Sequence, residues 1–306
     1  MKITIACKDT KIQPWLDGLR MALPEAKISE WQAGDAPADY AVVWHPTQQF
    51  LNEQQDLKAI FNIGAGVDAM MHMKLPSKAK VVRLEDAGMS VQMAEYVCHA
   101  VIRHFRDFAA YDHAASSRQW SFQKPKRRED FPIGVMGLGV LGRRVAKTLC
   151  NFDFKVNGWS QRKKEINGVS AYAGRSEFQA FLAASKVLVC LLPLTDQTIN
   201  IMNEATLQSL QSGAYVINVA RWQHLVEEDL LRLIDSGHLA GATLDVFREE
   251  PLPAGHAFWT HPKITVTPHA SARTLRDETI SQIARKILAL SRGAVISGVV
   301  NQQLGY

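Results

Sequence analysis

A glycine-rich turn between a strand and a helix constrains the fold of this chain most strongly. Gly137, Gly139 and Gly142 form the pattern GxGxxG, directly after the apolar run IGVM and shortly before the amphipathic run RRVAKTL. In such a turn the first glycine permits a tight bend, the second lets a pyrophosphate approach the backbone, and the third lets the helix pack on its strand. The spacing alone is weak evidence, because glycine is a common residue. Its place between strand and helix favours a dinucleotide-binding βαβ unit over a turn that binds nothing.

Short apolar runs alternate with helix-like polar segments on both sides of this turn. The alternation predicts βαβ units and mostly parallel sheets. The predicted strands are Lys2–Cys7, Tyr40–Trp44, Ala59–Ile63, Lys80–Leu84, Phe131–Met136, Phe154–Trp159, Val187–Leu192, Tyr215–Val219, Ala242–Val246 and Ile264–Thr267.

Two long helical patterns divide the chain. One predicts a single helix from Val91 to Phe108, and the other is the last helix of the sequence. The 306 residues are about twice the common size of a domain. We therefore predict an α/β protein with two Rossmann-like, doubly wound parallel-sheet domains, residues 1–88 with 272–306 and residues 89–271. The two helices are expected to be the crossovers between the domains, with the active site in the cleft between them.

Charge, cysteine content and the absence of long apolar runs bear on what the protein binds and where in the cell it is found. The net charge of +5 and the pI near 9.0 fit nucleic acid, but they fit a small anionic substrate or a phosphorylated cofactor equally well. The 4 cysteines form no CxxC pair, which predicts reduced thiols and no metal site. No signal peptide or membrane span is evident. We expect a cytoplasmic protein that binds neither nucleic acid nor membranes.

The residues after the second strand of the nucleotide-binding unit bear on the type of dinucleotide. An NAD site usually has Asp or Glu about twenty residues after the glycines, where it accepts hydrogen bonds from the ribose. Here the strand ends without an acid, and Ser160, Arg162 and Lys163 follow. Cations pair with a 2′-phosphate that a carboxylate would repel, and Ser160 could donate a hydrogen bond to it. This turn favours NADP(H), although a solvated basic turn is the alternative.

Five further segments follow the order found in one enzyme family. They are NIGAGVD at 62–68, LPLT at 192–195, NVAR at 218–221, DVFREEPLP at 245–253 and TPH at 267–269. Together with the glycine turn, they resemble the D-isomer-specific 2-hydroxyacid dehydrogenases across essentially the whole chain. Within that family, the sequence resembles most the NADPH-dependent glyoxylate/hydroxypyruvate reductases of the A type in bacteria.

The resemblance implies a role for each segment. Arg221, Glu250 and His269 correspond to the catalytic arginine, glutamate and histidine. The loop with Gly64, Ala65 and Gly66 would bind the substrate carboxylate. Further cofactor contacts are implied for Leu138, Val140, Leu141, Leu192, Pro193, Thr195, Val219, Ala220 and, on the nicotinamide side, Asp245. The family resemblance also implies a homodimer whose interface includes the Val91–Phe108 helix and the Tyr111–Arg128 loop.

The chemistry of the three catalytic candidates agrees with reduction of a 2-oxo acid. Arg221 has a planar fork that suits a carboxylate and a carbonyl together. His269 is a suitable proton donor to the carbonyl oxygen near neutral pH. Glu250 would orient the imidazole and favour its charged form. With ten histidines in the sequence, the motif singles out His269, and an ordinary loop histidine is the alternative. Glu249 or Glu250 could be solvated, and Glu249 is the weaker candidate because the motif puts the catalytic acid directly before Pro251.

Two tryptophans bear on the resemblance, one as a departure from the family pattern and one as a candidate part of the substrate site. Trp222 stands where the family usually has glycine after its catalytic arginine, so the local loop geometry is open. Trp44 ends a strand of the first domain and is a candidate wall of the substrate site, although an isolated tryptophan is more often part of a core.

Other functions on the same fold compete with this interpretation. A phosphoglycerate or D-lactate dehydrogenase would share its motifs. A dinucleotide-sensing corepressor would be a binding protein, and it would keep the same three catalytic residues. We predict NADPH-dependent reduction of small 2-oxo acids such as glyoxylate and hydroxypyruvate, with no metal.

Overall fold

The computed structural model describes residues 1–301. The chain forms two compact units, Met1–Met89 with Arg273–Tyr306, and Ser90–Ala272. Within residues 1–301, no helix combines the length and the apolar character needed to cross a bilayer.

The first unit contains a five-stranded parallel sheet. Its elements are β1 (Lys2–Cys7), α1 (Gln13–Ala22), β2 (Lys27–Glu30), β3 (Tyr40–Trp44), α2 (Gln48–Glu53), β4 (Ala59–Asn62), α3 (Asp68–Met71) and β5 (Lys80–Val82). The strand order is β2-β1-β3-β4-β5. Alternate residues of β3 enter two different cores, Tyr40 and Val42 on one face and Ala41 and Val43 on the other. The sheet is therefore covered on both faces, as parallel sheets usually are.

The second unit contains a seven-stranded parallel sheet. Its elements are α4 (Met89–Phe105), α5 (Phe108–Ser116), β6 (Ile133–Met136), α6 (Val140–Asn151), β7 (Val156–Ser160), β8 (Val169–Ala173), α7 (Phe178–Ala183), β9 (Val187–Cys190), α8 (Glu204–Gln208), β10 (Ala214–Asn218), α9 (Glu227–Asp235), β11 (Leu239–Leu244) and β12 (Ile264–Val266). The strand order is β12-β11-β10-β9-β6-β7-β8. Strands β7 and β8 lie on one side of β6 in the sheet, and β9 to β12 lie on the other side, so the order of the strands reverses at β6. The glycine turn follows β6. Open α/β sheets bind ligands at such a switch point.

The last helix, α10 (Arg276–Ser291), belongs to the first unit. It buries Ile280, Ile283 and Ile287 in one of the cores of that unit. Gly18 of α1 allows a close approach, because a Cβ there would lie 2.5 Å from Cδ1 of Ile280. These two parallel-sheet units confirm the predicted α/β class.

Two strands were not predicted, and one predicted helix is wrong in extent. β2 and β8 lie at sheet edges, where exposed residues weaken the apolar pattern. The helix predicted from Val91 to Phe108 ends at Phe105, because Asp107 takes a left-handed conformation with φ 55°. Aspartate tolerates this conformation better than most residues. Phe108 has the spacing of a core residue but is exposed, and α5 extends into the predicted Tyr111–Arg128 loop.

Candidate active site

The glycine turn has the geometry of a pyrophosphate cradle. A Cβ on Gly137 would lie 2.6 Å from the carbonyl oxygen of Leu191, and φ at Gly137 is 97°. A Cβ on Gly142 would lie 1.8 Å from the carbonyl oxygen of Gly137. Both positions therefore require glycine. At Gly139, by contrast, no described heavy atom lies within 4 Å of a Cβ position, so the space above the turn is open.

The helix that follows the turn offers hydrogen-bond donors to this open space. No side chain in the described part of the chain caps the N-terminus of α6, and its first turn has no acidic residue. Its first N–H groups and the helix dipole therefore suit an anion. Leu138 is buried in the core, so a contact to a cofactor would come from its backbone. Val140 is exposed and Leu141 is half-buried.

A lysine that the sequence analysis did not single out connects the two phosphate-binding candidates. The Nζ of Lys164 donates a hydrogen bond of 2.9 Å to the carbonyl oxygen of Leu138. Lys164 lies just beyond the basic turn after β7, so it joins that turn to the glycine turn. Its only signal in the sequence was its place in a run of cations.

The basic turn after β7 presents two cations beside a buried hydroxyl. Arg162 and Lys163 are exposed, and within residues 1–301 neither forms an ion pair. Ser160, however, is buried, and its hydroxyl donates to the carbonyl oxygen of Arg162 at 2.7 Å. This hydroxyl has one proton, so its donation to a phosphate, which stays a prediction, requires it to turn away from that carbonyl oxygen. Ser160 shapes the turn that presents the two cations.

Two loops follow neighbouring strands of the second unit. In the first, the side chain of Leu192 is buried, and the carbonyl oxygen of Pro193 accepts a hydrogen bond of 2.8 Å from the hydroxyl of Thr198. The same hydroxyl accepts from the backbone N–H of Thr195 at 2.9 Å. In the second loop, Val219 and Ala220 are also buried, and their side chains pack into the cores of the second unit.

Arg221 is held at its backbone by a buried asparagine. The side chain of Asn218 accepts from the N–H of Ala220 at 3.2 Å and donates to the carbonyl oxygen of Arg221 at 3.1 Å. The guanidinium of Arg221 donates to the carbonyl oxygen of Ala220 at 2.7 Å. Trp222 begins a short 3-10 helix and lies under the guanidinium of Arg248, whose Cζ is 5.2 Å from the ring centroid. Trp222, at the position where the family usually has glycine, therefore forms a cation–π contact with Arg248.

His269 and Glu250 form the predicted pair. Nδ1 of His269 lies 2.8 Å from Oε2 of Glu250, and the other oxygen of Glu250 accepts from the N–H of Phe247 at 3.0 Å. The carboxylate therefore holds the proton on Nδ1, which directs Nε2 to act as the outward nitrogen. The His269 and Glu250 side chains are 47% and 38% exposed, so a substrate can reach the pair. Glu249 plays no part in it.

The side chain of Asp245 holds the histidine loop. It is completely buried, and its Oδ1 accepts from the Thr267 hydroxyl at 2.5 Å and from the Ala270 N–H at 2.8 Å. Its Oδ2 accepts from the Ser271 N–H at 2.9 Å. These bonds fix the backbone on both sides of His269. The carboxylate thus supports the histidine loop, and the contact on the nicotinamide side that the resemblance implies for Asp245 stays a prediction.

The Asp245 network continues to α4. The hydroxyls of Tyr96 and Thr267 are 2.5 Å apart, so Thr267 accepts from Tyr96 while it donates to Asp245. Burial raises the pKa of Tyr96 to about 12, which keeps its phenol protonated as a donor at neutral pH.

The candidate carboxylate loop of the first unit follows β4. The buried side-chain amide of Asn62 donates to the carbonyl oxygens of Gly64 and Gly66 at 3.0 and 2.7 Å. Within residues 1–301, the N–H groups of Gly64, Ala65 and Gly66 donate to no backbone or side-chain acceptor. Successive N–H groups of this kind form anion-binding concavities in proteins.

Trp44 packs against this loop. A Cβ on Gly64 would lie 2.4 Å from Cζ3 of Trp44, so the indole rests on the glycine backbone. Trp44 is half-buried and also contacts one of the cores of the first unit. The tryptophan therefore supports the loop, which the sequence pattern did not reveal.

Comparison with known proteins identifies the family. The family model described as D-isomer specific 2-hydroxyacid dehydrogenase, NAD binding domain, matches residues 98–271. The chain is 45% identical over 301 residues to glyoxylate/hydroxypyruvate reductase A of Serratia proteamaculans (strain 568), covering 96% of both proteins.

Two solved structures resemble the whole chain. A D-isomer specific 2-hydroxyacid dehydrogenase from Xanthobacter autotrophicus Py2, in complex with NADPH and MES, is 35% identical with a TM-score of 0.93. An NADPH-dependent glyoxylate/hydroxypyruvate reductase from Sinorhizobium meliloti, in complex with NADP and sulfate, is 33% identical with a TM-score of 0.92. Each comparison covers 100% of this chain and 99% of the other. The resemblance inferred from the motifs is confirmed, and the chain belongs to the D-isomer specific 2-hydroxyacid dehydrogenase family.

Proposed function

We propose that this protein reduces small 2-oxo acids with NADPH, converting glyoxylate to glycolate and hydroxypyruvate to D-glycerate. The observation that carries the proposal is the 2.8 Å contact between His269 and Glu250, on the same unit as Arg221 and the glycine turn. Relatives that are named as reductases of these two acids support the choice of substrates.

The cofactor proposal rests on two features of the second unit. The open space above Gly139 and the uncapped α6 fit a pyrophosphate, and the exposed Arg162 and Lys163 fit a 2′-phosphate. NADPH, when bound, supplies the hydride that reduces the carbonyl carbon. The residues proposed to hold it are Gly137, Leu138, Gly139, Val140, Leu141, Gly142, Ser160, Arg162, Lys163, Leu192, Pro193, Thr195, Val219 and Ala220.

The residues proposed for the substrate divide the work between charge and proton transfer. Arg221 binds the carboxylate and polarises the carbonyl with its guanidinium fork. His269 donates a proton from Nε2 to the carbonyl oxygen, and Glu250 stabilises the imidazolium before that transfer. The backbone N–H groups of Gly64–Gly66 bind the substrate carboxylate, with Trp44 supporting their loop.

The remaining proposals concern the units, the assembly and the compartment. We assign residues 1–88 with 272–306 as the substrate domain and 89–271 as the NADP domain. A cytoplasmic homodimer is proposed, with α4, α5 and the segment after them in its interface. Trp120 and Phe122 of that segment are 104% and 78% exposed, which is the surface character expected of an interface before association.

A substrate panel tests the proposed function. Purified protein is mixed with NADPH and, in turn, glyoxylate, hydroxypyruvate, phosphohydroxypyruvate and pyruvate, and the loss of reduced nicotinamide absorbance is followed. We expect the highest kcat/KM with glyoxylate or hydroxypyruvate. A preference for the phosphorylated acid or pyruvate would favour a phosphoglycerate or D-lactate enzyme. Tight NADPH binding without turnover of any acid would favour a corepressor-like binding protein.

A further inference from the structure

A completely buried histidine lies three residues after Arg221. His224 has no exposed surface, and both nitrogens of its ring approach backbone atoms of the two loops that follow β9 and β10. Nδ1 lies 3.2 Å from the backbone nitrogen of Arg221, and Nε2 lies 3.3 Å from the carbonyl oxygen of Pro193. The ring therefore spans from the catalytic-arginine segment to the LPLT cofactor segment.

The partners of the ring determine its tautomer. The backbone N–H of Arg221 can only donate, so Nδ1 must accept and carries no proton in this contact. The carbonyl oxygen of Pro193 can only accept, so Nε2 must donate. Nδ1 also lies 3.1 Å from the Arg221 carbonyl oxygen, but that oxygen already accepts from Asn218 and from the His224 backbone N–H. A neutral ring protonated on Nε2 satisfies both loops together.

The backbone of His224 is itself fixed. Its N–H donates to the carbonyl oxygen of Arg221 at 3.3 Å, and its carbonyl oxygen accepts from the N–H of Met202 at 2.8 Å. The imidazole is therefore attached to a backbone that has little freedom to move. On the opposite side, Asn218 holds the Arg221 carbonyl at 3.1 Å. Arg221 is therefore clamped at both its N–H and its carbonyl.

We propose that His224 is a positioning residue that fixes the backbone of Arg221 relative to the cofactor loop at Pro193. This inference rests on the proposed function, in which Arg221 binds the 2-oxo acid and the loop at Pro193 contacts the cofactor. A guanidinium reaches its substrate productively only when its own backbone is placed to within a fraction of an ångström. The Nδ1 bond sets the position of the arginine, and the Nε2 bond sets that of the cofactor loop.

Two substitutions separate the two bonds. In His224→Asn the side-chain oxygen takes the place of Nδ1 and still accepts from the Arg221 N–H, but the side chain is too short for Pro193. In His224→Gln the side-chain NH₂ takes the place of Nε2 and still donates to Pro193, but a carbon stands near the Arg221 N–H. His238→Gln is the matched control, because His238 makes one Nε2 contact of 3.1 Å to the Leu207 carbonyl at a different place in the same unit.

The expected results differ between the variants. His224→Gln should lower kcat/KM for glyoxylate about 10- to 100-fold, the usual cost of a misplaced catalytic group, and leave the Kd for NADPH near the wild-type value. His224→Asn should raise the Kd for NADPH and keep most of the substrate-dependent rate. The control should change neither. Identical losses in both variants would overturn the separate roles of the two nitrogens.

Hydrogen exchange tests the inference without turnover. The amide of Arg221 should exchange about five- to tenfold faster in His224→Gln than in the wild type, since one hydrogen bond is lost, and should keep its protection in His224→Asn. Equal protection in all variants would overturn the proposal. This measurement stands even when no 2-oxo acid is reduced, so failure of the proposed function is distinguishable from failure of the clamp.

A measurement on the unaltered protein covers the case in which a variant does not fold. Nitrogen-15 NMR of the histidine side chains reports which ring nitrogen carries the proton. For His224 we expect a protonated Nε2 and an unprotonated Nδ1 at neutral pH. A protonated Nδ1 would overturn the assignment, because the Arg221 N–H would then lack its acceptor.

Discussion

Replacement of Asp245 by asparagine tests how the histidine loop is held. The carboxylate accepts two hydrogen bonds at Oδ1, from Thr267 and Ala270, and one at Oδ2, from Ser271. In Asp245→Asn the amide oxygen retains the two bonds at the first position. The amide NH₂ then faces the N–H of Ser271, so two donors meet in a site with no exposed surface.

The magnitude follows from these contacts. A hydrogen bond to a charged group contributes about 1.5–3 kcal/mol, and a buried donor left without an acceptor costs about 1–3 kcal/mol. The two effects overlap, so we expect the free energy of unfolding to fall by about 3 kcal/mol. Because the released backbone flanks His269, kcat should fall about 10- to 100-fold, while NADPH affinity stays near the wild-type value.

Urea unfolding, NADPH titration and steady-state kinetics measure the three quantities. Asp235→Asn is the control, since Asp235 is 72% exposed beside His261 and its loss should change stability by about 0.5 kcal/mol or less. Weaker NADPH binding in Asp245→Asn with unchanged stability would refute this reasoning. That result would instead favour the direct nicotinamide contact that the family resemblance implied.

Three further predictions concern the cofactor, the carboxylate loop and stability toward acid. Arg162→Ala should raise the KM for NADPH about tenfold or more and hardly affect NADH, whereas equal losses would show another role for the cation. Gly64→Ala puts a Cβ 2.4 Å from the Trp44 ring and should raise the KM for glyoxylate, and removal of the ring in a double variant should restore it; no recovery would exclude this clash as the cause. Burial lowers the pKa of His104 from 6.5 to about 4, so the unfolded state binds more protons between these values and stability falls as the pH drops through that range. His104→Phe keeps a ring against Tyr215 but cannot bind a proton. We expect the difference in free energy of unfolding between pH 7.5 and pH 4, measured with urea, to be about 3 kcal/mol smaller in this variant than in the wild type. The same difference in both proteins would contradict a buried neutral histidine.

The strands that the sequence predicts best are those buried on both faces. β3 has the predicted bounds, Tyr40–Trp44, because a strand covered on both faces is a continuous apolar run. β2 at Lys27–Glu30 has one buried residue among exposed ones, so its sequence does not differ from a polar loop. The end of α4 at Phe105 was also not predictable from the pattern. Phe105 and Phe108 keep the spacing of three that is typical of a helix, and the left-handed Asp107 between them does not change that spacing.

The candidate site is predictable only where a motif fixes a residue by its order. Glu250 and His269 were named from their segments, and the fold brings them to 2.8 Å. The hydrogen bonds of Asp245 to the histidine loop were not predicted, because its burial depends on strands distant in sequence. His224 was missed altogether, because its link to Pro193 joins residues 31 positions apart and no local pattern encodes it.

The central claim is that His269 delivers the proton while the second unit holds NADPH independently of it. The most direct test compares His269→Ala with the wild type, measuring kcat for glyoxylate and the Kd for NADPH on the same preparations. The account predicts that kcat falls about 10²- to 10⁴-fold, the usual contribution of a general acid, while the Kd for NADPH stays within about twofold. Near-normal turnover in His269→Ala would contradict it, because the proton would then come from another group.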